Sequence, residues 1–178
     1  MLPLTDEYWG ETHALCVASN PNPEQTPLPH NKFDDSSLTW RQLDWLKHVS
    51  YYIYNVDRQN GIVDAVFKFD ADSRIKLHQH KVPYATLVLQ GELRFYRPNG
   101  ELKEIRPTGS YVRGDANSEP HLEGGGDQDT IVFFSFRNAK DVLFVFLDEN
   151  MEPAEAVSID DAEALLAAQG RAKWLPAA

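Results

Sequence analysis

The sequence contains a single cysteine, Cys16, among its 178 residues. One thiol cannot form an internal disulfide, and zinc sites that are built from pairs of cysteines are also excluded. Cysteine usage of this kind is typical of a reducing compartment, or of a protein indifferent to redox state, so we expect a cytoplasmic protein.

Positive charge and long apolar runs are also scarce. Lysine and arginine number 17 against 27 aspartates and glutamates, which gives a formal charge of −10 at pH 7. This balance argues against nucleic-acid binding, because phosphate backbones attract basic surfaces. Apolar runs such as residues 142–147 are too short to cross a bilayer as a helix, and residues 1–7 lack the features of a secretory signal. We expect neither nucleic acid nor membrane as a partner.

Short strand patterns fill the part of the chain where long helical patterns are missing. In residues 62–69 the apolar side chains recur at every second position, and Asn99-Gly100 favours a tight hairpin turn. The predicted strands are residues 51–56, 62–69, 74–80, 84–90, 92–97, 101–106, 110–113, 130–136 and 142–147. Such a series predicts an all-β, antiparallel sandwich or barrel that forms one domain.

The two ends of the chain differ from this middle part. Residues 1–50 are irregular and rich in proline, which predicts an extended N-terminal arm that packs on the barrel or on a partner subunit. A short helical turn is expected near residues 37–43, and the barrel itself is assigned to residues 51–150. Residues 151–178 predict a tail with one short helix, which Ser158 caps and Gly170 ends.

Three histidines are the strongest candidates for chemistry. His78 and His80 lie two positions apart in a predicted strand, so their side chains share one face. His121 follows 41 positions after His80, beyond a hairpin and another strand, so the chain can return it to the same place. Three neutral nitrogen donors with open positions suit a catalytic first-row metal. We predict a metal site here; the alternative is that these are surface or structural histidines.

Two segments around these histidines resemble the two sequence motifs of the cupins. Residues 78–92, HQHKVPYATLVLQGE, resemble the first motif: two histidines, a spacer, a glutamate position and a glycine. Residues 109–115, GSYVRGD, continue to His121 and resemble the second, glycine-led motif with its closing histidine. The resemblance covers about residues 60–148. It implies a jelly-roll-like antiparallel β-barrel with a metal held inside.

The chain departs from the first motif at one ligand. Tyr84 occupies the position of the glutamate that is usually a fourth ligand, and neighbouring Ala85 and Thr86 carry no carboxylate. A site of three histidines without a carboxylate is therefore expected, similar to cupin dioxygenases that cleave a carbon–carbon bond beside a carbonyl. Chain length, the proline-rich arm, the tryptophan-containing lead-in and the Gly-Ser-Tyr-Val segment resemble the 2,4'-dihydroxyacetophenone dioxygenase family, with the acetylacetone-cleaving dioxygenase as a relative.

This resemblance implies a non-haem Fe(II) cofactor, with a small aromatic ketone and O₂ as substrates. An aromatic α-hydroxyketone such as 2,4'-dihydroxyacetophenone would be cleaved to an aryl carboxylate, 4-hydroxybenzoate, and formate, a step of aromatic compound degradation. Neutral histidines leave the ion its full charge, which favours an anionic enolate of the substrate. Two alternatives remain on the same barrel: a non-enzymatic sensor module that binds a metal or a small ligand, and a sugar or dicarbonyl isomerase.

Further side chains are candidates for the substrate pocket. Tyr84 should face the metal cavity, where it either bonds the substrate or lines the wall. Arg94 and Tyr96 share one strand face; this face orients an anionic or phenolic substrate if it points inward, and is solvated if it points outward.

The sequence does not decide which further groups near His121 take part in the site. Asp115, Glu119 or a water molecule are the candidates that complete the coordination or orient the histidine. Residues 124–126, three successive glycines, are interpreted as a flexible turn near the site entrance. The long arm and the exposed edges of such a barrel predict a homodimer or homotetramer.

Overall fold

A computed structural model describes residues 32–170, which belong to one compact unit. Twelve strands and one helix follow each other in these residues: β1 (Arg41–Leu43), β2 (Leu46–Asp57), β3 (Ile62–Phe69), β4 (His78–His80), β5 (Tyr84–Gln90), β6 (Glu92–Tyr96), β7 (Leu102–Pro107), β8 (Tyr111–Gly114), β9 (Leu122–Gly125), β10 (Thr130–Phe136), β11 (Val142–Leu147), β12 (Pro153–Ser158) and α1 (Ile159–Gln169). The predicted all-β fold with a short C-terminal helix is confirmed.

The strands form one large and two small sheets, and every pairing between named strands is antiparallel. The six-stranded sheet has the order β1-β2-β3-β10-β5-β8. The two three-stranded sheets have the orders β12-β11-β4 and β7-β6-β9. His78 and His80 form β4 in one of the small sheets, and His121 directly precedes β9 of the other.

One hydrophobic core joins the three sheets. The large sheet contributes side chains such as Val63 and Phe134, and the small sheets contribute Leu93 and Phe146, all of them almost fully buried. Alternation along each strand explains this, because every second side chain of a strand points to the same face. The interior of this barrel is consequently crowded with aromatic rings.

The segment before β1 packs on the outside of the large sheet. Phe33 and Trp40 contact a small outer cluster that includes Val66 and Ile131. Asp35 fixes this segment, since its carboxylate accepts hydrogen bonds from Trp40 Nε1 at 2.9 Å and from Lys68 Nζ at 3.3 Å. The predicted arm thus has a described part that lies on the domain surface, while its residues 1–31 fall outside the described residues.

The expected boundary of the barrel at residue 50 falls inside a strand. Residues 41–43 form β1 and residues 46–57 form β2, so the helical turn expected near residues 37–43 is wrong. The pairing of β1 with β2 supplies the backbone hydrogen bonds that a helical turn would otherwise have made. At the other end, β12 extends the barrel into the predicted tail by pairing with β11.

The C-terminal helix begins and ends where the sequence predicts. Ser158 Oγ accepts a hydrogen bond from the Asp161 backbone N–H at 3.1 Å, and the Asp161 carboxylate accepts one from the Ser158 N–H at 2.8 Å. These two bonds satisfy donors that a helix start leaves unpaired. Gly170 ends the helix with a positive φ of 77°. In the described part of the chain, no helix has the length and apolar character needed to cross a membrane.

Candidate metal centre

The two strand segments that carry the histidines meet through their backbones. His78 and His121 form an isolated antiparallel bridge, with N···O distances of 3.0 and 2.9 Å in the two directions. His80 lies two positions along β4, so its ring follows that of His78 onto the same face. The ring centroid of His78 lies 5.1 Å from that of His80 and 4.6 Å from that of His121. The structure thus brings the three predicted histidines together.

A carboxylate joins them, and the expectation of a carboxylate-free group is corrected. Glu123 lies two positions after His121, on β9, and its side chain points to the same interior. Ligand atoms of His78, His80, His121 and Glu123 all lie within 4.8 Å of one another. Glu123 Oε1 is 3.4 Å from His78 Nε2. The carboxylate missing at Tyr84 is thus supplied by β9, directly after the other motif.

A simple pattern in the sequence could have revealed Glu123. The argument that placed His78 and His80 on one face applies equally to His121 and Glu123, since both pairs are separated by one residue. Residues 122–125, LEGG, contain few strand-forming residues, and β9 was not predicted for that reason.

Backbone carbonyls orient two of the imidazoles. His78 Nδ1 donates to the Lys76 carbonyl at 3.0 Å, and His121 Nδ1 donates to the Glu119 carbonyl at 3.2 Å. A carbonyl only accepts, so each Nδ1 carries the proton and each Nε2 keeps a free lone pair. This is the tautomer that presents Nε2 as a metal ligand.

Several polar atoms of the group are buried without a partner among the described residues. They are both ring nitrogens of His80, Nε2 of His121 and Oε2 of Glu123. Burying such atoms unpaired is costly, and a coordinated cation would satisfy most of them at once. The donor set of three nitrogens and one carboxylate oxygen suits a first-row divalent ion. The group could therefore hold a metal ion, and its residues fit one.

The protonation states agree with that role. Burial, together with the charges of the neighbouring histidines and of Arg106, holds the pKa of His80 well below its usual range. Burial and the charge of His78 lower the pKa of His121 to about 4. Burial works to raise the pKa of Glu123, but its contact with His78 and nearby positive charge, including that of Arg106, leave it below its ordinary value. At neutral pH His80 and His121 are therefore neutral imidazoles and Glu123 is a carboxylate, the forms that bind metal.

Tyr84 forms one wall of the group. Its ring stacks on His80 with a centroid distance of 3.9 Å and an interplanar angle of 24°. Gly114, paired with Tyr84 across β5 and β8, makes room for it, because a Cβ at position 114 would overlap the tyrosine ring. Tyr84 therefore lies in the interior against His80. Burial raises the pKa of its hydroxyl, so this phenol stays protonated.

Arg94 and Tyr96 are not brought to the group. On β6 the side chains of Leu93 and Phe95 point inward, so those of Arg94 and Tyr96 lie on the opposite face. Arg94 is held there by Glu92 and by Asp127, whose carboxylate is 2.7 Å from Nη2. Tyr96 lies under the guanidinium of Arg74, with 4.6 Å between the charge and the ring centroid.

The other residues near His121 do not occupy the positions that the sequence predicted for them. The Glu119 carboxylate accepts from Lys103 Nζ at 2.6 Å, and only its backbone carbonyl acts on His121. Asp115 is exposed. Gly124 and Gly125 belong to β9 and are buried, so the flexible turn expected there is wrong. A Cβ on Gly124 would overlap the backbone of Ser73, which crosses directly over the strand.

A cavity of about 30 Å³ opens beside the group. His78, His80 and Glu123 line one side of it, and six phenylalanines dominate the rest: Phe67, Phe69, Phe134, Phe136, Phe144 and Phe146. On the other side of the group, the Phe95 ring lies 5.1 Å from that of His121 and carries the buried guanidinium of Arg106 4.0 Å above it. Arg106, which sequence analysis did not single out, is neutralised by Glu104.

Solved structures with this architecture are numerous, whereas no family model and no curated sequence matches. An RmlC-like cupin from Ralstonia eutropha superposes with a TM-score of 0.62 at 15% identity, covering 79% of this chain and 87% of that one. The chain has the cupin fold. An acetylacetone dioxygenase from Acinetobacter johnsonii gives a TM-score of 0.60 at 14% identity, covering 84% and 97% of the two chains. A cupin from Methylibium petroleiphilum, assigned the same activity, gives 0.60 at 15%, covering 82% and 99%.

Proposed function

We propose that this cupin is a metal-dependent dioxygenase that uses Fe(II) to cleave a carbon–carbon bond beside the carbonyl of an enolisable ketone. An aromatic α-hydroxyketone of the 2,4'-dihydroxyacetophenone type is the proposed substrate. The observation that carries the proposal is the buried group of His78, His80, His121 and Glu123 at the side of an aromatic cavity. Two of the solved structures with the same fold are described as acetylacetone dioxygenases, which supports the reaction class.

The proposed reaction balances without a further reductant. The hydroxyketone and O₂ give an aryl carboxylate and formate, so the bond between the carbonyl carbon and the hydroxymethyl carbon breaks. Both atoms of O₂ enter the products, one in each acid, and the substrate supplies all the electrons. A protein that catalyses this step therefore needs no flavin or nicotinamide site.

When bound, Fe(II) would supply positive charge that favours the enolate form of the ketone and a position where O₂ meets it. Four protein ligands leave about two of the six usual positions of such an ion for these partners. The carboxylate of Glu123 reduces the charge of the loaded group from the value that three histidines alone would leave. A substrate with an acidic C–H, which enolises readily, is therefore favoured over a simple ketone.

The side chains around the group have separate tasks. The Lys76 and Glu119 carbonyls hold two imidazoles in their ligand tautomer. Tyr84, stacked on His80, fixes the third ring, which has no hydrogen-bond partner in the described residues. The phenylalanines keep water from the cavity, which strengthens electrostatic interactions inside it and protects a reactive enolate.

The test begins with protein purified without oxygen. Its metal content is measured, and O₂ uptake is then followed with 2,4'-dihydroxyacetophenone and with acetylacetone. We expect about one iron per chain, uptake of one O₂ per ketone, and formation of a carboxylate. His121→Ala should lose the metal, whereas His48→Ala, an exposed histidine paired with Asp70, should keep it.

Two results would contradict the proposal at different points. If His121→Ala retained the metal as fully as His48→Ala, the ligand assignment would be wrong. If iron-loaded protein consumed no O₂ with either ketone, the dioxygenase activity would be wrong and a metal-binding sensor module would remain.

A further inference from the structure

A second cavity of about 50 Å³ lies between the barrel wall and α1. Its lining consists of 14 residues, all with hydrocarbon side chains except Tyr51. We call this space the α1 chamber. Two residues of the helix, Ala162 and Leu165, form its outer wall, and no charged side chain of the described residues lines it.

The α1 chamber adjoins the cavity at the metal group. Leu46, Val49, Phe67, Phe136 and Phe144 line both spaces. The rings of Phe136 and Phe144, 5.8 Å apart between centroids, stand in the shared wall. Phenylalanine rings can change rotamer without losing hydrogen bonds, so this wall can yield to a ligand that spans it.

We propose that the α1 chamber receives the apolar tail of a ligand whose polar head lies at the group of His78, His80, His121 and Glu123. The inference rests on the proposed function for its polar head and deepens it, because it specifies the other end of the substrate. A charged end would lose its hydration in the chamber without gaining a partner. The substrate class is therefore an enolisable ketone that carries an uncharged alkyl or aryl group.

Because α1 forms one wall of the chamber, substitutions in this helix can change the volume of the chamber. The helix is fixed by its own side chains: Gln169 bonds both backbone groups of Ile53, and Arg58 pairs with Asp160 and Glu163. Ala162 is the smallest side chain on the chamber side of the helix, whereas Ala164 of the same helix is exposed. Ala162→Leu and Ala164→Leu thus make the same chemical change on opposite faces of one helix.

The experiment measures how affinity depends on chain length. Acetylacetone and homologues with longer linear alkyl groups at one end are titrated without oxygen into the metal-loaded protein, and binding is followed by calorimetry. In the wild type we expect affinity to rise about threefold to fourfold for each added methylene until the chamber is full. Ala164→Leu should keep this gain and Ala162→Leu should lose it. Leu165→Ala, which enlarges the chamber, should move the limit to longer chains.

Several outcomes would overturn the inference. An affinity independent of chain length in the wild type would do so, as would an equal gain in Ala162→Leu and Ala164→Leu. If Ala162→Leu failed to fold, the Leu165→Ala variant would decide the question. The inference would be overturned if affinity stopped rising at the same alkyl chain length in this variant as in the wild type. The proposed function can fail independently of this inference. Length-dependent binding without O₂ uptake would support the chamber and contradict the dioxygenase activity. O₂ uptake without length-dependent binding would support the activity and contradict the chamber.

Discussion

His78 and His121 exchange two backbone hydrogen bonds, although 43 positions separate them in the sequence. The backbone positions that carry the two imidazoles are therefore fixed by hydrogen bonds of the barrel. The next inward positions on the same two segments are His80 and Glu123, so one bridge between strands aligns all four side chains.

The first prediction concerns the carboxylate of this group. Glu123→Gln should weaken metal binding by at least about tenfold, the lower end of what loss of even an outer partner costs. Titration of the metal-free protein with Fe(II), followed by the rise in thermal unfolding temperature, measures the change. Glu119→Gln is the matched control, because that side chain pairs with Lys103 on the surface. Equal metal affinity in the two variants would remove Glu123 from the ligand set.

The second prediction concerns the space that Gly114 leaves for Tyr84. Gly114→Ala should destabilise the protein by about 1–3 kcal/mol, the usual cost of overpacking, because the new methyl group overlaps the tyrosine ring. Urea unfolding measures this change. Tyr84→Leu in the same chain should recover part of the loss, since the ring is then gone. A double variant whose two effects simply add would contradict the proposed contact.

The third prediction concerns pH and the attachment of α1. The hydrogen bond from Arg58 lowers the pKa of Glu163 below its ordinary value of 4.5. A depressed pKa means that the stabilisation is complete above 4.5 and is lost as pH falls through the folded value. Arg58→Met should therefore lower the free energy of unfolding near neutral pH and approach the wild type as pH falls below the folded pKa of Glu163. The exposed Arg113→Met serves as control. A deficit that stays constant with pH would count against the pair.

The fourth prediction concerns the buried amide at the end of α1. Gln169 accepts a hydrogen bond from the Ile53 N–H at 3.0 Å and donates to the Ile53 carbonyl, at a point where the β2–β3 register shifts. Gln169→Leu should cost about 1–3 kcal/mol, because both backbone groups lose their partner in a buried place. Gln59→Leu, on an exposed turn, should change stability little. Chemical denaturation of both variants gives the comparison, and equal stabilities would show that water replaces the amide.

Much of this fold follows from local patterns in the sequence. The alternation of residues 62–69 and the hairpin signal at Asn99-Gly100 gave strands close to those observed, and the Ser158 capping box marked the helix start. β9 escaped prediction because its glycines are required by tertiary contacts: the backbone of Ser73 passes Gly124 at close range, and that of Asp70 passes Gly125. No pattern of neighbours along the chain contains that information.

The candidate site shows the same division. Spacing alone placed His78 and His80 on one face, and the motifs added His121. Glu123 lies outside both motifs, because the family pattern has its carboxylate at the position of Tyr84 and its second motif closes at His121. Arg94 could not be oriented from sequence, since its direction depends on Asp127, which lies 33 positions away.

The meeting of the two site segments also bears on the loop of chain between them and on the stability of the fold. An ion shared by His80 and His121 would close a loop of 41 positions, the kind of constraint that a disulfide places on chains that have paired cysteines. This closure would be reversible, and its strength would follow the concentration of free metal, because the ion binds only when the loop is already folded. Because its single cysteine cannot form an internal disulfide, this chain would depend on bound metal for such a cross-link, and its free energy of unfolding would rise with the concentration of free metal.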